Sequence, residues 1–169
     1  MTIRPPLHAS LRAIMNARIL GSLGLLAVAF LTACSPVVRL EAAPEANNPN
    51  CANMIVRLPD SIEGFDRRNV NSQSTAAWGD PVVIIARCGL PRPAPSTLPC
   101  VTVDGLDWLV DESDRPNFRL LSYGLEPATE VIVDSSAVSG TAALQALAGP
   151  VASQSAPVAQ CIDATDVFG

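Results

Sequence analysis

Pro81-Val82-Val83-Ile84-Ile85-Ala86 places four consecutive β-branched residues between Asp80 and Arg87-Cys88-Gly89. A continuous apolar run of that kind, bounded by turn formers, predicts a central strand buried on both faces. Downstream, Val101-Thr102-Val103 enters Asp104-Gly105 and leaves as Leu106-Asp107-Trp108-Leu109-Val110. That pattern predicts a hairpin, because a two-residue turn matched to strand twist needs positive φ at both central positions, which Asp and Gly supply. Phe118 to Tyr123 and Thr129 to Val133 predict two more strands, separated by a turn over Gly124 to Pro127. Upstream, Cys51 to Leu58 predicts about two helical turns stopped by Pro59, and Val138 to Leu147 predicts a helix ended by Gly149-Pro150. Between the first helix and the central strand, Gly64 to Val70 is a short Arg-bearing segment with Phe65 and Val70 as candidate buried positions, and Asn71 to Thr75 a polar loop. The expected fold is α+β: a small, mainly antiparallel sheet covered by N- and C-terminal helices.

Outward from this body, the first 18 residues carry Arg4, Arg12 and Arg18 and no acid, and an apolar run follows from Ile19 to Leu31. A basic start before a short apolar run is the pattern of an export signal. The run falls short of the roughly 20 residues that span a bilayer, and it ends in Leu31-Thr32-Ala33-Cys34, which resembles a bacterial lipobox. Residues 1–33 are therefore expected to form a lipoprotein signal peptide, with Cys34 acylated and made the first residue of the mature chain. Two or three acyl chains anchor stably where one binds marginally. The rival is an ordinary signal or an uncleaved anchor, with Cys34 incidental. Residues 34–50, rich in Pro, Ala, Glu and Asn, are expected as a flexible linker, residues 51–149 as the folded domain, and residues 150–169 as a loose tail unless Cys161 pins it back.

The 169 residues carry a formal charge of −5, with all 11 cations Arg and none Lys. Loss of the first segment leaves 8 Arg against 16 acids, a formal −8. Such a body is a poor partner for nucleic acid and for anionic lipid. The sole histidine, His8, lies in the signal. The mature chain then offers neither imidazole nor ammonium side chains, which excludes histidine triads, histidine metal sites and Schiff-base lysines. No metal and no cofactor are implied. Ser135, Ser136 and Ser139 have no base to activate them.

Cys51, Cys88, Cys100 and Cys161 remain, and in an exported chain an even count predicts two disulfides. Spacing leaves three connectivities open. Each bridge contributes on the order of 3 to 4 kcal/mol through loop closure.

Ala76-Ala77-Trp78-Gly79-Asp80-Pro81, then Arg87-Cys88-Gly89 with Pro91-Arg92-Pro93, then Asp104-Gly105-Leu106-Asp107-Trp108 resemble, in order and spacing, an uncharacterised family of exported actinobacterial proteins, domain of unknown function 3515. The resemblance runs from Cys51 to about Val133. It implies an envelope location and a mixed sheet domain, and no activity. Cys51 and Cys88 match family positions whereas Cys100 and Cys161 are additions, which favours the pairs Cys51 with Cys88 and Cys100 with Cys161. The chain departs from the family at Tyr123-Gly124-Leu125, where an Arg commonly follows the Gly.

Trp78, Asp80, Asp107 and Trp108 are the aromatic–acid spots of a chain with 4% aromatics, and with Arg87 and Arg92 they form the candidate ligand-binding set. The plainer reading makes both Trp residues core bulk and the acids turn formers. Asp104, Asp107, Asp111, Glu112 and Asp114 form the densest acidic stretch. A pair of them serves glycosidic chemistry only if suitably spaced in one pocket; otherwise they are a solvated edge that discourages strand addition. Arg67, Arg68, Arg87 and Arg92 either clamp an anion or pair with acids of the body. The expected function is that of a non-enzymatic binding or assembly module, lipid-anchored on the outer face of the cell membrane and partnered by an envelope protein or ligand. The alternatives are an Asp/Glu-based enzyme on envelope glycans and a small-ligand carrier with an apolar cavity near Trp78 or Trp108.

Overall fold

The computed structural model describes residues 36–162. The segment expected as a signal peptide, Cys34 and the last seven residues lie outside the described residues. Eight strands make one sheet: β1 (Ser61–Ile62), β2 (Phe65–Arg68), β3 (Thr75–Trp78), β4 (Ile84–Leu90), β5 (Cys100–Val103), β6 (Leu106–Asp114), β7 (Asn117–Ser122) and β8 (Ala128–Asp134). Their order is β1-β2-β3-β4-β8-β7-β6-β5, and every pairing is antiparallel. Two meanders, β1 to β4 and β5 to β8, thus meet along the β4–β8 seam. The proline-rich link from Leu90 to Cys100 carries the chain from the middle of the sheet to its far edge.

The helices are α1 (Pro49–Ile55), which begins with Pro at its first turn and Asn48 as N-cap, and α2 (Gly140–Ala152), capped by Ser139. They span 7 and 13 residues, so the sheet dominates and the expected helix-covered layer fits only in part. Among the described residues no helix is long and apolar enough to cross a membrane.

Register assigns the faces, since residues directly opposite each other share one. Trp78, Ile84, Val133, Phe118, Val110 and Val101 belong to the helix-bearing face. Cys51 and Met54 of α1 and Leu144, Leu147 and Val151 of α2 close the core over it. Arg87, Glu130, Leu121, Leu109 and Cys100 belong to the opposite face. Both disulfides favoured by the family resemblance are present, Cys51 with Cys88 and Cys100 with Cys161.

Several expectations are corrected. The central strand starts at Ile84 rather than Pro81, and alternates between buried and half-buried residues instead of being buried on both faces. Pro81 and Val82 belong to a turn in which the Val83 N–H returns to the Trp78 carbonyl. β3 takes Thr75 from the end of the expected loop and adds Ala76 to Trp78, for which no element was expected: its Thr-Ala-Ala-Trp sequence has weak strand preference, but all four residues are buried between β2 and β4, and burial overrides propensity. A small hairpin, β1–β2, turns on Glu63 and Gly64, both with positive φ. Helix α2 runs past Pro150 to Ala152. Pro150 forfeits one hydrogen bond in the last turn, and the fully buried Val151 offsets that loss.

The linker expected over 34–50 is, from Pro36 onward, bound to the body. The Val38 N–H donates to Asn69 O at 2.8 Å, the Leu40 N–H to Asn71 Oδ1 at 2.7 Å and the Glu45 N–H to Gly89 O at 2.8 Å. Ala43 and Ala46 are buried. Hydrogen bonds donated by main-chain N–H groups hold this segment, and hydropathy patterning does not register them.

Candidate functional site

The six residues of the expected ligand-binding set do not converge. Trp78 and Trp108 are both 0% exposed on the helix-bearing face, while Arg87 and Asp107 lie on the other. Trp78 Nε1 donates to the Pro59 carbonyl at 3.1 Å, whereas Trp108 Nε1 is buried without a partner. Both rings lie in the core. Asp80 pairs with Arg68 at 3.0 Å and Arg92 approaches Glu126 at 4.0 Å. Leu125, the position of the expected departure from the family pattern, is fully buried and so serves packing here.

The helix-free face carries a ladder of charge. Glu130 is 1% exposed and is the only fully buried charged residue among those described. Arg87, on β4, donates to Glu130 Oε2 from Nε at 3.0 Å and from Nη2 at 2.6 Å, and Arg119, on β7, donates from Nε to Oε1. Asp111, on β6, stands directly opposite Arg119. The Ser113 side chain and backbone N–H, aided by the Arg119 charge, hold the Asp111 carboxyl below the ordinary Asp value. A buried carboxylate needs such compensation, and this one is saturated by two guanidinium groups rather than free to act as a base. The one sequence signal for it is an isolated Glu in the otherwise uncharged run Thr129 to Val133.

Four acids weighed for glycosidic chemistry are dispersed. Asp107 and Asp111 share a face four residues apart along β6, about 13 Å at strand rise, beyond the 6.5–9.5 Å of an inverting pair. Glu112 pairs with Arg115, and Asp104 sits in the hairpin turn. Asp107 instead acts as a clamp: its Oδ1 accepts from the Thr102 hydroxyl at 2.6 Å and its Oδ2 from the Cys161 N–H at 2.7 Å. It therefore fastens the segment after α2, a strap over residues 153–162. The strap is also held where the Val158 N–H donates to Gly124 O at 2.8 Å. Gly124, at φ +79°, lets it pass, because a Cβ there would collide with the Ala159 backbone. Hollows of 280 and 360 Å³ lie along the strap, both lined by Tyr123, Gln160 and Cys161.

The β5–β6 hairpin forms with the expected turn, Asp104 at φ 49° and Gly105 at φ 80°. Its acids do not guard the sheet edge as expected, because they lie on the turn and on β6, one strand inside, whereas the edge strand β5 itself carries no charge. Val103 opposes Leu106 across the two-residue turn and the Val110 N–H donates to Pro99 O, so alternate residues 99, 101 and 103 hydrogen-bond to β6. The backbone groups of Cys100 and Thr102 therefore point away from the sheet, with no backbone partner among the described residues. Beside this edge lies a groove of 480 Å³, floored by Val101, Val110, Phe118 and Leu120 and walled by Leu144 and the start of α2. No charged residue lines it, and Val101 is 41% exposed. Its volume is in the range of binding sites. The open edge and adjoining groove are the candidate functional site, which sequence reasoning missed because nothing in β5's composition reveals that it is last in the sheet.

A family model described as a protein of unknown function, DUF3515, matches residues 17–159, well over half of the chain. No curated protein and no solved structure matches it.

Proposed function

The chain belongs to the DUF3515 family, and we propose that it is a lipid-anchored module of the cell envelope that binds a partner and performs no chemistry on it. The observation that carries this reading is the unpaired β5 edge beside an uncharged groove. An open edge is a liability that folds ordinarily blunt, and its retention favours use. The pairing of all four cysteines of the body supports an oxidising compartment. The lipobox-like end of the apolar run supports acylation of Cys34 and residence on the outer face of the cell membrane. Dispersal of Asp104, Asp107, Asp111 and Glu112, and saturation of Glu130, support binding over catalysis.

The test has two readouts. Cells given an alkyne fatty acid are expected to label the wild-type chain and not Cys34→Ala, with the variant released from the membrane fraction. A photo-crosslinker at Val101 is expected to trap a partner that one at exposed Val56, at the C-terminal end of α1 and outside the groove, does not. An unlabelled, soluble wild-type chain contradicts the anchor; equal trapping at both positions contradicts the site.

A second reading is favoured by the groove's volume alone: a small apolar ligand carried beside α2. The cavity lies away from Trp78 and Trp108, neither of which lines it.

A further inference from the structure

We propose that the β5 edge and its groove take an extended polypeptide segment of a partner protein, apolar at alternate positions and flanked by basic residues, as an added strand of the sheet. This rests on the binding-module reading and names the chemistry of the partner.

Two features select an extended peptide. The outward N–H and C=O groups of Cys100 and Thr102 call for main-chain partners, which an acyl chain or other apolar small molecule lacks. Val101 and Val103, which alternate with them in sequence, line the groove, so a strand laid along β5 meets hydrogen-bonding groups in its own plane and an apolar trough beside it. Strand addition with alternate side chains in pockets is a recurrent mode of peptide recognition.

Charge selects the flanks. From Pro93 to Asp114 the chain has five acids, Asp104, Asp107, Asp111, Glu112 and Asp114, and no basic residue. Asp104 lies just past one end of β5; past the other, on the far part of β6, Arg115 pairs with Glu112 and Arg119 stands opposite Asp111, which leaves Asp114 as the acid with no basic partner among the described residues. A second copy of this chain pairing β5 to β5 brings two such acidic hairpins together, which is repulsive. The chain's own last seven residues carry Asp163 and Asp166 and no base, so they are no better matched. A segment with Arg or Lys on either side of a short apolar stretch is complementary at both ends.

The test is fluorescence polarisation with the full-length chain in detergent. The probe is a labelled peptide of alternating valine and threonine between pairs of terminal arginines. Binding is expected, at least tenfold weaker when the terminal arginines are replaced by glutamates, at least tenfold weaker when alternate backbone nitrogens of the probe are methylated, and weakened by added salt. Thr102→Pro is expected to weaken it at least tenfold as well. Its N–H faces away from β6, so proline there removes no ladder bond; the methylated probe makes the same test on the unaltered protein. Equal affinity for both flank charges, or indifference to backbone methylation, overturns the proposal. So does self-association of the chain that Thr102→Pro abolishes, or binding of a fluorescent fatty acid in the groove that the peptide does not displace. None of these results alters fatty-acid labelling at Cys34 or trapping at Val101, which report on the module reading separately.

Discussion

The two meanders that meet at the β4–β8 seam end differently. On the N-terminal side the sheet stops at β1, two residues long, and its disulfide, Cys51 with Cys88, is wholly buried between α1 and β4. On the C-terminal side it stops at β5, four residues long with Val101 exposed, and its disulfide, Cys100 with Cys161, is half-buried and ties a strap across the sheet's end. One half is closed by packing. The other is closed by a clamp and leaves an edge open, and that is where a binding function has room.

Breaking each disulfide tests this contrast most severely. The loops closed span 37 and 61 residues, so chain entropy alone ranks the outer bridge higher, at about 4.3 against about 3.8 kcal/mol. Burial reverses that order. Cys51→Ala with Cys88→Ala opens a cavity at a site 0% exposed, and is expected to cost about 4–6 kcal/mol in urea denaturation. Cys100→Ala with Cys161→Ala frees the strap, whose residues 156–158 are exposed. The native state then regains conformational entropy, and the expected cost is about 1–3 kcal/mol. An outer pair costing as much as the inner one contradicts the contrast.

The two tryptophans sharpen it. Both are fully buried, but Trp78 donates to Pro59 and Trp108 donates to nothing. Replacement by Phe removes a hydrogen bond only at Trp78, so Trp78→Phe is expected to cost about 1 kcal/mol more than Trp108→Phe by the same denaturation measurement.

The smallest effect concerns acid. Asp111 and Asp134, both in the C-terminal meander, are held below the ordinary Asp value, Asp111 by Ser113 and Asp134 by Ser136. A depressed folded value means stability that is present above the unfolded pKa and lost as pH falls through the folded one. Asp111→Asn and Asp134→Asn are therefore expected to flatten the stability profile below about pH 4, measured as thermal midpoints against pH.

How far these contrasts were legible in the sequence differs by kind of interaction. The β5–β6 hairpin was readable because Asp104-Gly105 permits one turn geometry, and β7 and β8 because apolar residues repeat in them. β3 was not, because Ala76 and Ala77 owe their strand state to neighbours distant in sequence. The docking of residues 36–48 onto the body was hidden because hydrogen bonds from their main-chain N–H groups hold it. For the site, the acids were visible but their place was not: only the pairing order reveals that Asp107 and Asp111 stand one strand inside the edge. The Arg87–Glu130–Arg119 ladder needed the same knowledge, since its members come from three strands.

The open edge of β5 is tested most directly by amide hydrogen exchange of Cys100 and Thr102 in the full-length chain, with and without the arginine-flanked peptide. In the free protein both amides are expected to exchange fast while Val101 and Val103 are protected, and the peptide is expected to slow Cys100 and Thr102 selectively. Protection of those two amides in the free protein, or their continued fast exchange under saturating peptide, contradicts the account.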